Sequence, residues 1–135
     1  MPTTDEIYYA KILDQLGNDF IRISNSIPKI SKDTNDISTL KSAQIEFGRC
    51  IGEYQALKST MSKVPMGTIY HLINEHKELV SAIDGFVTST QKMYDSISID
   101  SPSINYSLFE EGKHEQKTAV RKIEVITDKI ATKIL

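Results

Sequence analysis

The spacing of apolar residues constrains the fold of this chain more than any other feature. Apolar side chains recur at alternating intervals of three and four residues in three segments, which cover residues 9–27, 40–64 and 69–97. This spacing places side chains on one stripe of an α-helix and cannot place them on one face of a strand. The sequence therefore predicts an all-α protein whose long helices bury apolar stripes against one another.

Capping, turn and breaking residues divide the chain into four predicted helices. Thr3-x-x-Glu6 and Ser107-x-x-Glu110 have the form of capping boxes. Pro28 ends the first helix, Pro65-Met66-Gly67 separates the second from the third, and Thr68 is the expected N-cap of the third. The predicted helices cover about residues 4–26, 36–63, 68–97 and 107–134, with a linker over 98–106.

The length of 135 residues and the short connections predict a single helical-bundle domain over residues 1–135. We expect an antiparallel four-helix bundle in which helices 2 and 3 form a long hairpin. The polar segment 110–118 predicts that helix 4 begins solvated or frayed, whereas its apolar stripe from residue 119 onward docks. Helix 4 could pack within its own chain or on another copy.

Composition disfavours several functional classes. The net charge of −2 argues against a nucleic-acid binder, because such proteins usually carry a strong basic excess. No apolar run reaches the roughly 18–20 residues of a membrane span. The N-terminus carries Asp5 and Glu6 and lacks a signal-peptide pattern, so a cytoplasmic location is expected, with export that needs no cleaved signal left open. No cofactor, metal or small-molecule substrate is inferred.

Small residues recur every four positions on the polar side of helices 2 and 3. This spacing lets a second backbone approach closely, although the motif is best known in membranes. Two interpretations remain: a lateral contact within an oligomer or with a partner, or glycines tolerated on a solvated face. The residues are Gly48, Gly52 and Ala56 on helix 2, and Ser81, Gly85 and Ser89 on helix 3.

A basic stripe on helix 4 consists of Lys113, Lys117 and Arg121, spaced by four residues. It is either a solvated face or a docking surface for an acidic partner. Aromatic residues do not alternate with these bases, so stacking on nucleic-acid bases is not indicated.

His76 lies at the centre of the apolar stripe of helix 3. We expect a core histidine satisfied by a neighbouring side chain or carbonyl; a register-setting polar group and a ligand or catalytic role are the alternatives. Cys50 occupies an apolar position, where a small inert side chain is the usual explanation. The only residues from which a metal site could be assembled are His71, Glu75, His76, Glu111 and His114.

These features favour a non-enzymatic protein that self-associates or docks on a partner through its helix faces. The alternative is a secretion-associated protein, either a small exported partner or a chaperone. The two long helices joined at Pro65-Met66-Gly67 resemble in outline the helical hairpins of the Trp-x-Gly family of small secreted proteins. The chain contains no tryptophan, so the Trp-x-Gly turn of that family is absent.

Overall fold

Four long helices make up most of the computed structural model, which describes residues 1–134. The predicted all-α class is confirmed. Leu135, the last residue of the predicted domain, lies outside the described residues. The helices are α1 (Thr4–Asn25), α2 (Ile37–Ser62), α3 (Ile73–Asp95) and α4 (Tyr106–Ile134), and a 3-10 helix (Gly67–Leu72) precedes α3.

Side chains cap three of the helices, and the cap predicted for helix 4 is wrong. The Thr3 hydroxyl accepts a hydrogen bond from the Glu6 backbone N–H, and the Glu6 carboxylate accepts one from the Thr3 N–H, so the first capping box is confirmed. Asp36 accepts from the Thr39 N–H at the start of α2. At α4 the cap is Asn105, which accepts from the Leu108 N–H, and not the predicted Ser107.

The entry to α3 also differs from the prediction, which placed an α-helical start at Thr68. The chain first forms the 3-10 helix, and Ile69 within it departs from helical geometry (φ −129°, ψ 39°). Ile69 and Leu72 are both buried, so this turn contributes to the core instead of simply linking two helices.

The predicted linker over 98–106 is partly ordered as a hairpin. Strands β1 (Ile97–Ser98) and β2 (Ser103–Ile104) pair antiparallel, with Ile97 opposite Ile104. Ile97 is buried in a cluster with residues from the start of α2 and the start of α4. The tight hairpin therefore fixes where α4 begins, which a mobile linker would not do.

Helix α3 lies between α2 and α4 and runs antiparallel to each. Lys58 near the end of α2 pairs with Asp84, and Gly48 lies opposite the ring of Tyr94. On the other side, Gly85 lies opposite Ala119 of α4. Along α2 and α3 the later residue of one helix pairs with the earlier residue of the other, as antiparallel neighbours require. The pairs of Glu75 with Lys133 and of Lys92 with Glu111 show the same order between α3 and α4.

Helix α1 contacts the other helices chiefly through large side chains. Phe20 of α1 lies against Phe86 of α3, with ring centroids 4.6 Å apart, and against Tyr54 of α2 at 5.9 Å. Tyr54 and Phe86 contact each other at 5.1 Å. This aromatic cluster joins three helices, and such pairs stabilise a core by about 0.5–1.5 kcal/mol beyond the burial of their area.

The first turns of α4 are helical and contact α2 and α3, so the predicted fraying is wrong, whereas most side chains of residues 110–118 are exposed as predicted. Phe109 is 4% exposed and lies edge-on to Phe47 of α2. Gly112 is buried against α3, where an added Cβ would come within 2.7 Å of the Ser89 carbonyl oxygen. The segment has a polar sequence, but its one glycine allows α4 to approach α3 closely enough to bury the helix surface.

Candidate docking grooves on either side of α4

An apolar groove of about 740 Å³ runs between α1 and α4. Its floor is formed by core side chains that include Phe20, Phe86 and Ile130. Its walls carry half-buried and exposed apolar residues, among them Ile21, which is 62% exposed, and Val120, which is 40% exposed. Apolar atoms thus reach solvent along a continuous depression and not only as single scattered residues.

Small side chains line part of each facing surface of the groove. On α1 the wall positions Ala10, Asp14 and Gly17 follow the helical spacing of three and four residues. On α4 the matching wall includes Thr127 and Ala131. At Gly17 no atom lies within 4 Å of an added Cβ, so the space between the two helices is open there.

The rim of this groove is acidic. Asp14, Glu124 and Asp128 line it, and its lining contains no lysine, arginine or histidine. Within residues 1–134 none of these three carboxylates forms an ion pair. Their charges are left uncompensated beside an apolar surface, and we call this depression the acidic groove.

A second groove, of about 960 Å³, lies on the opposite side of α4, between α4 and α3. Four basic side chains line it and only two acidic ones, Glu78 and Glu115. Val125, 54% exposed, lies among the bases. We call this surface the basic face; its basic residues are Lys77, Arg121, Lys122 and Lys129.

The structure brings only three of the predicted interaction residues together on one surface. Ser81, Gly85 and Arg121 all line the basic face. Gly85 is also a point of close approach between α3 and α4 within the chain, since its added Cβ would lie 3.0 Å from the Cβ of Ala119. The close approach that the small-residue spacing predicts on helix 3 therefore occurs between helices of one chain.

The other predicted interaction residues lie elsewhere. On α2, Gly48 faces the Tyr94 ring, with an added Cβ 3.4 Å from it, whereas Gly52 and Ala56 are exposed. On α4, Lys113 and Lys117 are exposed, and Lys113 pairs with Glu110 at 3.5 Å. A docking role for these residues stays a prediction.

His76 is buried with both ring nitrogens occupied. Nε2 lies 2.9 Å from the Met61 carbonyl oxygen and Nδ1 lies 2.7 Å from the Tyr9 hydroxyl. A carbonyl can only accept, so Nε2 carries the proton, and Nδ1 of the neutral ring accepts from Tyr9. Burial lowers the pKa of His76 and raises the pKa of Tyr9. The expectation of a satisfied core histidine is confirmed.

The remaining candidate metal ligands are dispersed. His71 contacts Glu6 at 3.0 Å, Glu75 pairs with Lys133, and Glu111 pairs with Lys92 at 2.8 Å. In the part of the chain that the structure describes, no three histidine, cysteine or acidic side chains are arranged to hold a metal ion.

Cys50 is buried, with its sulfur 3.5 Å from the Ser26 hydroxyl. Burial raises the pKa of its thiol, so the neutral form is favoured. A neutral, enclosed thiol is a poor nucleophile, in keeping with the expectation of a small inert core residue.

Comparison with protein-family models, curated proteins and solved structures finds no match to this chain. Across residues 1–134, each helix is too short or too polar to cross a bilayer.

Sequence reasoning missed the acidic groove and the role of Gly112. Asp14, Glu124 and Asp128 are ordinary polar residues in the sequence, and only packing brings α1 beside α4. The sequence does contain an indication of the groove on α1, where the small residues Ala10 and Gly17 lie seven positions apart beside the apolar stripe. Gly112, a single glycine within a polar stretch, is a comparable indication of a close helix contact.

Proposed function

We propose that this chain is an antiparallel four-helix bundle that acts as a non-enzymatic protein–protein interaction or assembly subunit, and that it binds a helix of its partner in the acidic groove. The observation that carries the proposal is the groove itself, an exposed apolar depression with uncompensated carboxylates on its rim. We place the protein in the cytoplasm as part of the same proposal.

The shape and chemistry of the groove support a helical ligand. Amphipathic helices bind proteins by laying their apolar face into a hydrophobic groove between two supporting helices. In the acidic groove, Phe20, Phe86 and Ile130 would contact that apolar face. Burying apolar surface contributes roughly 25 cal/mol per Å² removed from water, which favours filling such a depression.

The rim defines the charge of the partner. Asp14 on α1 and the pair Glu124 and Asp128 on α4 border the groove. A helix with lysine or arginine on both edges of its apolar stripe would place cations beside these carboxylates. Exposed charge pairs of this kind increase association rates more than they increase affinity, and added salt screens them.

The test uses a designed amphipathic helix of Leu and Ala with Lys along both edges, and a control helix with Glu in place of every Lys. Binding is measured by fluorescence anisotropy. We expect the basic helix to bind with an affinity that falls with added salt, and the acidic helix not to bind. Equal binding of both helices, or of neither, would refute the proposal.

Two exposed isoleucines provide matched protein variants. Ile21→Lys places a cation in the wall of the groove, whereas Ile45→Lys makes the same change on α2, at a side chain that is 70% exposed. Since both positions face solvent, both variants should fold. We expect Ile21→Lys to bind the basic peptide more weakly than the wild type and Ile45→Lys to bind it equally well.

Secretion-associated function remains the alternative. The antiparallel pairing of α2 and α3 agrees with the outline of a secreted helical hairpin. Its test is the appearance of the intact chain in the culture medium of producing cells, with a cytoplasmic enzyme as the lysis control.

A further inference from the structure

We infer that the occupant of the acidic groove is a second copy of this chain, which binds there through the exposed α4 side chains of its basic face, so that the copies associate head to tail. The inference rests on the proposed function and names its partner. It is an interaction between two different surfaces of the same molecule, one on each side of α4.

The charges of the two surfaces are complementary and largely unused within the monomer. Asp14, Glu124 and Asp128 form no ion pair within residues 1–134, and over the same residues neither Arg121 nor Lys122 has a carboxylate partner. A charge without an internal partner is available to an external one at little cost to the fold. Three carboxylates and a comparable number of bases are therefore free to meet across an interface.

The distances between the bases on α4 are compatible with the distance between the two carboxylates on α4. At about 1.5 Å per residue, Arg121 and Lys129 lie about 12 Å apart along the helix axis, and Glu124 and Asp128 about 6 Å apart. The row of bases on α4 is thus long enough to extend past both α4 carboxylates of the acceptor copy, although Lys129 at its end also contacts Glu78 of its own chain at 3.9 Å. Val125 lies between the bases and is 54% exposed, so it can enter the apolar part of the groove.

Charge also determines the symmetry. A two-fold contact of one acidic groove against another would bring like charges together in a partly apolar setting, which costs several kcal/mol. A contact between the acidic groove of one copy and the basic face of the next avoids this. Each added copy leaves one groove and one basic face unoccupied, so assembly continues beyond two copies or closes into a ring.

The test uses sedimentation velocity over a range of concentrations with three charge variants. The groove variant carries Glu124→Lys and Asp128→Lys, and the basic-face variant carries Arg121→Glu and Lys122→Glu. The control variant carries Lys29→Glu and Lys41→Glu, the same charge change as in the basic-face variant, at exposed positions outside both surfaces. Circular dichroism verifies that each variant folds.

We expect the wild-type chain and the control variant to form species larger than a dimer as concentration rises. The groove and basic-face variants should each remain monomeric, with at least about a hundredfold loss in association constant. Mixed in equal amounts, they should form a dimer and nothing larger, because only one intact groove and one intact basic face remain between them.

Three outcomes would overturn the inference: a wild-type chain that stays monomeric, a wild-type assembly that stops at a dimer, or a mixture of the two variants that stays monomeric while the wild type assembles. The peptide assay separates this inference from the proposed function. If the basic helix binds a monomeric wild-type chain, the groove is a docking site for another protein and only the self-association is refuted. If the peptide also fails to bind, both proposals fail.

Discussion

Replacing Gly112 with alanine tests the close packing of α3 and α4. An added Cβ at this position would lie 2.7 Å from the Ser89 carbonyl oxygen and 2.9 Å from Met93 Cγ. The methionine side chain can move aside. The carbonyl belongs to the backbone of α3, so relieving that contact requires the two helices to separate.

The magnitude follows from two opposing effects. Overpacking a well-filled interface costs about 1–3 kcal/mol, and the rigid carbonyl places this site in the upper part of that range. Alanine in place of glycine inside a helix stabilises by about 1 kcal/mol. We therefore expect Gly112→Ala to lower the free energy of unfolding by about 1–2 kcal/mol.

Gly52→Ala is the matched control, because it makes the same change inside α2, where no atom lies within 4 Å of the added Cβ. Only the helix-propensity effect remains, so this variant should be about 1 kcal/mol more stable than the wild type. Urea unfolding followed by circular dichroism measures both variants. With slopes of about 1–3 kcal/mol per molar urea, midpoints should separate by on the order of 1 M.

The comparison has a clear refuting result. If Gly112→Ala unfolds at the same urea concentration as Gly52→Ala, the first turns of α4 do not pack on α3, and the frayed start expected from the polar sequence would be correct. An unchanged urea slope in both variants would show that the change lies in stability and not in the extent of unfolding.

Two further predictions concern polar groups. The pKa of buried His76 lies below its ordinary value of 6.5, so the unfolded chain binds protons more readily, and stability is lost as the pH falls from 6.5 toward the lowered pKa. In a background with His71→Gln and His114→Gln, the free energy of unfolding should fall by at most about 1.4 kcal/mol per pH unit between about pH 6.5 and 5. Replacing His76 with glutamine in that background should remove this pH dependence of the free energy of unfolding. If the pH dependence persists, another titrating group causes it. Asn105→Ala should cost about 1 kcal/mol by removing the cap of α4, whereas Ser107→Ala should change stability by only a few tenths. If Ser107→Ala lowers the free energy of unfolding more than Asn105→Ala does, then Ser107 is the N-cap of α4, as the capping-box pattern predicts.

The helices were predictable because they depend on residues that are close together in the sequence. Leu79, Ile83 and Phe86 lie on the apolar stripe of helix 3, and all three are buried. The Thr3-x-x-Glu6 box needs only residues three apart, and it forms as the pattern predicts. Periodicity and capping depend on neighbouring positions, so they can be read before any tertiary contact is known.

Features that depend on distant partners were not predictable in the same way. The choice of Asn105 over Ser107 as cap follows from the hairpin that positions the chain before α4, where the Asn105 backbone N–H donates to the Ser96 carbonyl at 2.7 Å. The need for glycine at position 112 follows from the Ser89 carbonyl oxygen of α3, which leaves no room for a Cβ. The acidic groove needs α1 and α4, about 100 positions apart in the sequence, to lie side by side.

The tight α3–α4 interface explains how the acidic groove can remain open. Close contacts at Gly85 and Gly112, and the pair between Glu75 and Lys133, hold α4 on α3 along its length. Because α4 is positioned by α3, its contact with α1 is not needed to keep it in place. The small residues facing the groove can therefore be left without partners at little cost to the fold. An exposed apolar surface usually marks a place where another molecule binds, and in this chain the surface is bordered by carboxylates that have no basic partner within residues 1–134.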